Sequence, residues 1–138
     1  MSYGDDEAVA RILADTSVWA VVGLSNNTDR MAYGIARFLQ QCGKRIVPVH
    51  PSAAMVHGEQ GYASLHDIPF PVDVVDVFVN ARLAGAVTDD AVRIGARAVW
   101  FQLGVVDEAA YDRVRATGTA MVMDKCPLLE WPRLGPIT

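Results

Sequence analysis

Cysteine is scarce in this chain: Cys42 and Cys126 are the whole complement. That is too few for a disulfide framework, and no second pair of ligands accompanies them to make a zinc site. An excess of basic residues is also missing. Lys and Arg number 12 against 16 Asp and Glu, a net charge of -4 with His neutral. No global field therefore draws the chain to nucleic acid, whose binding rests largely on phosphate neutralisation. An anionic ligand has to be held by local groups instead. Long hydrophobic runs are absent too. Val18 to Leu24 and Val74 to Val79 are among the longest, far short of the ~20 residues of a membrane-spanning helix, and they suit buried strands. The segment Met1-Ser2-Tyr3-Gly4-Asp5-Asp6-Glu7 is acidic where a secretory leader is basic and then apolar. With reduced thiols, this sets the expectation of a cytoplasmic protein with neither a membrane nor a nucleic-acid partner. Histidine is sparse as well. His50, His57 and His66 have no spacing that marks a triad or a metal pair, so no metal is expected.

What is present is a regular alternation. A chain of 138 residues, 51% hydrophobic, has the size of one domain with a single buried core, here residues 1–138, with 125–138 as a tail packing on it. After a short amphipathic helix over about Asp6 to Leu13, apolar runs recur at Val18 to Val22, Ile46 to Val49, Val74 to Val79, Ala98 to Phe101 and Ala120 to Met123. Between them, helical spacing links Tyr33, Ile35, Ala36, Phe38 and Leu39, then Ala84, Val87, Ala91 and Ile94, then Ala109, Tyr111 and Val114. Gly43, Gly95 and Gly118 stand where those helices should stop. Near-continuous apolar strands bury both faces, as a parallel sheet covered on each side requires. The expectation is an α/β fold, a doubly wound parallel five-stranded sheet in three layers. The exception to the alternation is Ser52 to Pro71, a long crossover whose one short helical candidate is Ser64 to Ile68, with Ser64 and Asp67 spaced for capping and His66 read as a solvated surface imidazole.

In an open parallel sheet, ligands collect outside the carboxyl ends of the strands where strand order reverses. The strand exits here carry Gly23 to Arg30, His50-Pro51, Asn80-Ala81-Arg82, Gln102-Leu103-Gly104 and Asp124-Lys125-Cys126. Part of that polarity is ordinary turn chemistry. The first exit stands out, because Ser25 and Asn26 precede a helix start whose unpaired amides and positive dipole end favour a phosphate. Arg30 adds a planar fork of donors, with a surface pairing to Asp29 as its plainer alternative. Gly23-Leu24-Ser25-Asn26-Asn27-Thr28-Asp29-Arg30 lacks the G-x-G-x-x-G spacing of a dinucleotide site. His50-Pro51 stands where such a site places a ribose-binding carboxylate. The ligand expected is a nucleotide other than NAD, with proline against a flat adenine.

Several segments then lie in a familiar order: V-V-G-L-S at Val21 to Ser25, Arg30 with Tyr33-Gly34, R-I-V-P-V-H-P at Arg45 to Pro51, and Y-A-S-L-H-D-I-P at Tyr62 to Pro69. P-V-D-V-V-D-V-F at Pro71 to Phe78, G-A-R-A-V-W-F-Q-L-G-V at Gly95 to Val105 and M-D-K-C-P at Met123 to Pro127 continue it. Together they resemble the small single-domain CoA-binding protein family, whose Rossmann-like fold is similar to the CoA-binding domain of the succinyl-CoA synthetase α subunit. The resemblance implies coenzyme A or an acyl-CoA as cofactor. It implies that Gly23, Leu24, Ser25 and Asn26 line the phosphates with Arg30, and that Pro51 sits beside the adenosine with His50 next to it. Val79 and Asn80 would border the ligand from the third strand, and Gln102 with Gly104 from the fourth. His50 and Val79 replace the Asn and Arg common in similar sequences, and Ser52-Ala53-Ala54 lacks the lysine of the synthetases.

The synthetase reaction needs a phosphohistidine from a further domain, and the chain presents no catalytic constellation of its own. It reads as a binding module, a carrier or sensor of CoA. An NAD(P)-dependent oxidoreductase and an interaction protein with a vestigial pocket are the alternatives. Cys126, beside Lys125, is a candidate contact for the CoA thiol and for a mixed disulfide with it, although a small packing residue is the weightier account. Trp19 and Trp100 should fill the core, while Trp131 either pins the tail or meets the second subunit of a homodimer.

Overall fold

The chain begins its order with α1 (Asp6–Asp15), β1 (Val18–Val22), α2 (Met31–Gln41) and β2 (Arg45–Val49). It continues through a single 3₁₀ turn (Leu65–Asp67), β3 (Val74–Val77), α3 (Ala81–Arg93), β4 (Ala98–Phe101), α4 (Glu108–Ala116), β5 (Ala120–Val122) and α5 (Pro127–Leu134). These are the elements of a computed structural model that describes residues 4–136. The five strands form one sheet in the order β2-β1-β3-β4-β5, and every pairing is parallel. The doubly wound α/β expectation is what the chain adopts.

Alternate strand residues feed two separate cores, because successive side chains point to opposite faces. Trp19, Val21, Val74, Ala98 and Trp100 pack with α1, α2 and α5 through Leu13, Ile35, Leu39 and the half-buried Trp131. Ala20, Val22, Val75, Val77, Val99 and Phe101 pack on the other face with Ala84, Ala91, Tyr111 and Val114 of α3 and α4. Trp19 and Trp100 are both fully buried, their ring centroids 5.7 Å apart. Each indole N–H finds a partner: Trp19 Nε1 donates to Thr16 Oγ1 at 2.9 Å, and Trp100 Nε1 to the Lys125 carbonyl at 2.8 Å. Each such side chain contributes roughly 1.5–3 kcal/mol or more by leaving water. Among the described residues no helix is long and apolar enough to cross a membrane.

Several boundaries differ from the sequence reading. The first helix runs on to Asp15, and Lys44 closes it, its ammonium donating to the carbonyls of Leu13 (2.6 Å) and Thr16. Strand β3 ends at Val77. The Phe78 amide still donates to the Val22 carbonyl at 2.9 Å, after which Asn80 caps α3 through its side chain, accepting from the Arg82 amide. Strand β5 ends at Val122, because the chain bends through Asp124 with φ 58°. The expected tail is a helix, α5, edge-on to Phe38 through Trp131. Pro132 inside it argues against a helix from sequence, but Pro127 opens the first turn, where a missing N–H costs nothing. Ser64 does not cap the 3₁₀ turn; its hydroxyl donates to Asp67 Oδ2 at 3.2 Å. His66 is more than solvated, since its Nε2 lies 3.0 Å from Asp90 Oδ1 on α3.

Two aspartates beside or within β3 behave oppositely. Burial by itself would raise the Asp73 carboxyl, but the amides of Val18 and Ser17, each at 2.9 Å, and the Arg97 guanidinium hold it below the ordinary carboxylate range. Asp73 thereby ties the start of β1 to the strand next to it. Asp76 is fully buried within β3 and neither carboxylate oxygen has a partner among the described residues. Desolvation pushes it well above the ordinary range, which favours the protonated form.

The signs of the two linkages are therefore opposed. The stability from Asp73 is present above its unfolded-state pKa and is lost as pH falls through the depressed folded value. Asp73→Ala should lower unfolding free energy in urea by about 1–3 kcal/mol at neutral pH, with the gap to the parent closing in acid. The contribution from Asp76 is full below its unfolded-state pKa and is lost as pH rises toward the raised folded value. Asp76→Asn should thus flatten the fall in melting temperature from weakly acid to alkaline pH, followed by circular dichroism; an unchanged slope would show the carboxyl to be ionised inside the fold.

Candidate functional site

The chain leaves β1 toward β2 on one side and leaves β3 toward β4 on the other. The two crossovers separate at the carboxyl ends of β1 and β3, and a crevice opens there. Its first hollow, about 380 Å³, is lined by Val22, Gly23, Ser25, Asn27 and Arg30 from the β1 exit, Val49, His50 and Pro51 from the β2 exit, and Ala63, Val79 and Leu83. Gly23 turns the chain off the sheet at φ 100°, a conformation that side-chain-bearing residues rarely adopt. Its amide donates to the Val49 carbonyl at 2.8 Å, which holds the two exits together. Gly61 is required in the crossover after β2: a Cβ there would fall 2.1 Å from the Ala54 carbonyl oxygen, so the 54–61 stretch can close only on glycine.

Helix α2 begins at the rim of this hollow without protection. Its N-cap, Arg30, makes no side-chain capping bond, and no acid stands in its first turn. The first-turn amides and the positive dipole end are left for an anion. The approach loop is set by its own side chains: Ser25 Oγ accepts from the Asn27 amide at 3.3 Å, and Asn27 Oδ1 from the Asp29 amide at 3.0 Å. The Arg30 guanidinium has no hydrogen bond or ion pair among the described residues, and it borders both this hollow and the next. The pairing with Asp29 weighed from sequence is not formed. At the opposite wall the Ser52 amide donates to His50 Nδ1 at 3.1 Å, with Ser52 Oγ 2.9 Å from the same nitrogen. A neutral ring accepting there carries its proton on Nε2.

A second hollow of about 290 Å³ continues past Gly23 and Arg30, walled by Asp29, Met31, Ala32, Phe78, Gln102, Leu103 and Val105. Gln102 is 2% exposed, and neither its amide nitrogen nor its amide oxygen has a partner among the described residues. A buried amide with a free donor and acceptor costs stability unless something bonds to it. A third hollow, about 330 Å³, shares Met31 and Leu103 with the second and is walled by Gly34, Ile35, Cys126, Leu128 and Leu129.

Gly23, Ser25, Arg30, His50, Pro51 and Val79 thus meet in the first hollow, and Gln102 in the second. Leu24 does not join them, for it is fully buried in the α2-side core. Asn26 turns away, its amide donating to the Met55 carbonyl at 2.9 Å. Asn80 is a helix cap. The Gly104 amide donates to Asp124 Oδ1 at 2.8 Å, linking the exits of β4 and β5. Cys126, 3% exposed, is the N-cap of α5. Sequence reasoning missed Asn27, Val49, Ala63, Leu83 and Phe78. Asn27 carried a signal, the Asx turn of Asn27 and Asp29; the apolar residues carried none, since wall and core are the same chemistry. His57 is outside: its Nε2 lies 2.7 Å from the Tyr33 carbonyl, with its ring against Tyr33. Among the described residues no group of His, Cys, Asp and Glu is placed to hold a metal ion.

Similarities to known proteins agree with this geometry. A family model described as a CoA binding domain matches residues 17–132. The chain is 32% identical over 118 residues to uncharacterized protein YneT of Bacillus subtilis (strain 168), covering 86% of this chain and 87% of that one. Among solved structures it is similar to a hypothetical protein from Pyrococcus horikoshii OT3, with TM-score 0.89 and 32% identity over 94% of this chain and 92% of the other. It is also similar to a Thermus thermophilus protein, cell-free ID.343, with TM-score 0.88 and 28% identity over 94% and 98%. The match from residue 17 to residue 132 carries the conclusion: this chain belongs to the CoA-binding domain family.

Proposed function

We propose that the protein binds coenzyme A or an acyl-CoA and acts as a carrier or sensor rather than as a catalyst. The observation that carries this reading is the uncapped start of α2, with the unpaired Arg30 guanidinium beside it, opening on a cleft that Gly23, Ser25 and Pro51 line. Backbone amides and a guanidinium are the natural partners of a pyrophosphate. Pro51 offers a flat, apolar surface to the adenine, and His50 Nε2 a donor to the ribose or its phosphate. Val79 borders the ligand from the β3 side. The pantetheine arm, with its two amides, follows the second hollow past Gln102, whose free donor and acceptor it would satisfy. Asn80 and Gly104 hold the surrounding loops in place and do not enter the hollows. Neither diagnostic of a nicotinamide dinucleotide is present, since the phosphate turn lacks its glycine spacing and His50-Pro51 replaces the ribose-binding acid. A ligand of this kind and free cysteines support a cytoplasmic location.

Purified protein should melt at higher temperature with CoA, since a ligand that binds only the native form stabilises it, by roughly 2.7 kcal/mol at one hundred times Kd. NADH should produce no shift. Arg30→Ala should weaken CoA binding by about 1–3 kcal/mol, the scale of a charge-assisted hydrogen bond, measured by titration calorimetry. A shift with NADH alone, or an unchanged affinity in the variant, would refute this assignment of the cleft.

A further inference from the structure

The third hollow has a character that coenzyme A by itself does not account for. Its walls are Met31, Ile35, Leu103, Leu128 and Leu129, closed below by the buried Cys126, and no charged side chain reaches it. Exposed large hydrophobic side chains are few on this molecule. Of the seven among the described residues, four, Met31, Leu103, Leu128 and Leu129, line this one groove, and Met31 and Leu129 are each more than half exposed, at 58% and 54%. Scattered apolar residues need no explanation, but a contiguous patch marks a binding surface.

Its position says what the surface binds. The three hollows are joined end to end: Gly23 and Arg30 belong to both the first and the second, Met31 and Leu103 to both the second and the third. The surface thus runs from polar donors, through the single free amide of Gln102, to pure hydrocarbon. We infer that the groove receives the aliphatic acyl group of a CoA thioester, making an acyl-CoA of medium chain length the ligand this protein is shaped for. The inference rests on the CoA reading of the first two hollows. A charged peptide would find no counter-ion here, and a second copy of the chain would not require continuity with the nucleotide cleft. In an acyl-CoA the phosphates lie at one end and the hydrocarbon at the other, with the amides of pantetheine between them, which is the order the cleft presents. The groove is open along its length and about 330 Å³, room for a flexible chain of several methylenes rather than for a rigid ring system.

Calorimetric titration with CoA and with octanoyl-CoA tests this. Octanoyl-CoA should bind at least about tenfold more tightly, since each methylene removed from water is worth ~0.8 kcal/mol and part of the chain stays exposed in an open groove. Leu129→Glu, at an exposed position that does not bear on folding, should bring the two affinities together. Equal affinities in the parent protein would overturn the acyl assignment while leaving CoA binding in place. A preference for octanoyl-CoA undiminished in Leu129→Glu would also overturn it, by placing the chain elsewhere. So would sedimentation showing a ligand-free dimer that Leu129→Glu dissociates, because a second copy would then cover the groove. Failure of both ligands to bind would instead remove the CoA reading on which it stands.

Discussion

Strand β1 is hydrogen-bonded along both of its edges, and the functional geometry depends on that. Because β2 lies on one side of it and β3 on the other, the loop leaving β1 cannot follow either neighbour and rises between them. Gly23 makes the bend and holds it through the Val49 carbonyl. The helix that follows starts over open space, so the Met31 and Ala32 amides have no hydrogen-bond partner among the described residues, while the Tyr33 amide turns back to the Arg30 carbonyl. Reordering the strands would fill the crevice or carry α2 away from it. A cleft at this place is a consequence of topology before it is a consequence of any single side chain.

The strands are kept in that order by polar ties at the opposite end of the sheet. Asp73 accepts from the first amides of the β1 segment, and its carbonyl receives the amides of Arg97 and Ala98 at the start of β4. One residue thus aligns three neighbouring strands. Lys44 does the same for α1, its ammonium capping carbonyls that the helix end leaves unpaired, at the cost of a pKa lowered mainly by burial. Near the ligand end the balance is reversed. Asp76 and Gln102 are buried polar groups without partners among the described residues, and such groups are stabilising only if something else supplies their bonds. Gln102 borders the cleft, so its deficit is one a ligand can make good; Asp76 lies inside β3, where burial raises its pKa and disfavours the charged form.

Much of the fold was legible because a parallel sheet writes itself plainly. Strands such as Val18-Trp19-Ala20-Val21-Val22 bury both faces and so are apolar throughout, and Gly43, Gly95 and Gly118 follow the helix ends with left-handed φ. The residues that misled did so where tertiary contact overrides local preference. Pro132 disguised α5, a helix supported by Trp131 against Phe38. His66 read as solvated because Asp90, its partner, is on a helix remote in sequence. Within the site, polarity at a strand exit did not distinguish a residue facing the cleft from one bracing it. Ser25 and Asn26 are adjacent and alike in chemistry, yet Ser25 lines the hollow and Asn26 reaches to Met55.

Sequence by itself therefore determined the class of fold and the absence of a dinucleotide fingerprint, because each of these depends on residue types at short spacing. It could not decide that the loop after β1, the Gln102 amide and the leucines of α5 line hollows that adjoin one another. That depends on the winding of the sheet, and the placing of residues 30, 102 and 129 along neighbouring hollows has no local signature. Direction is the other thing only the fold supplies: whether a side chain such as Leu24 faces a ligand or the core is settled by the turn at Gly23 and the packing behind it.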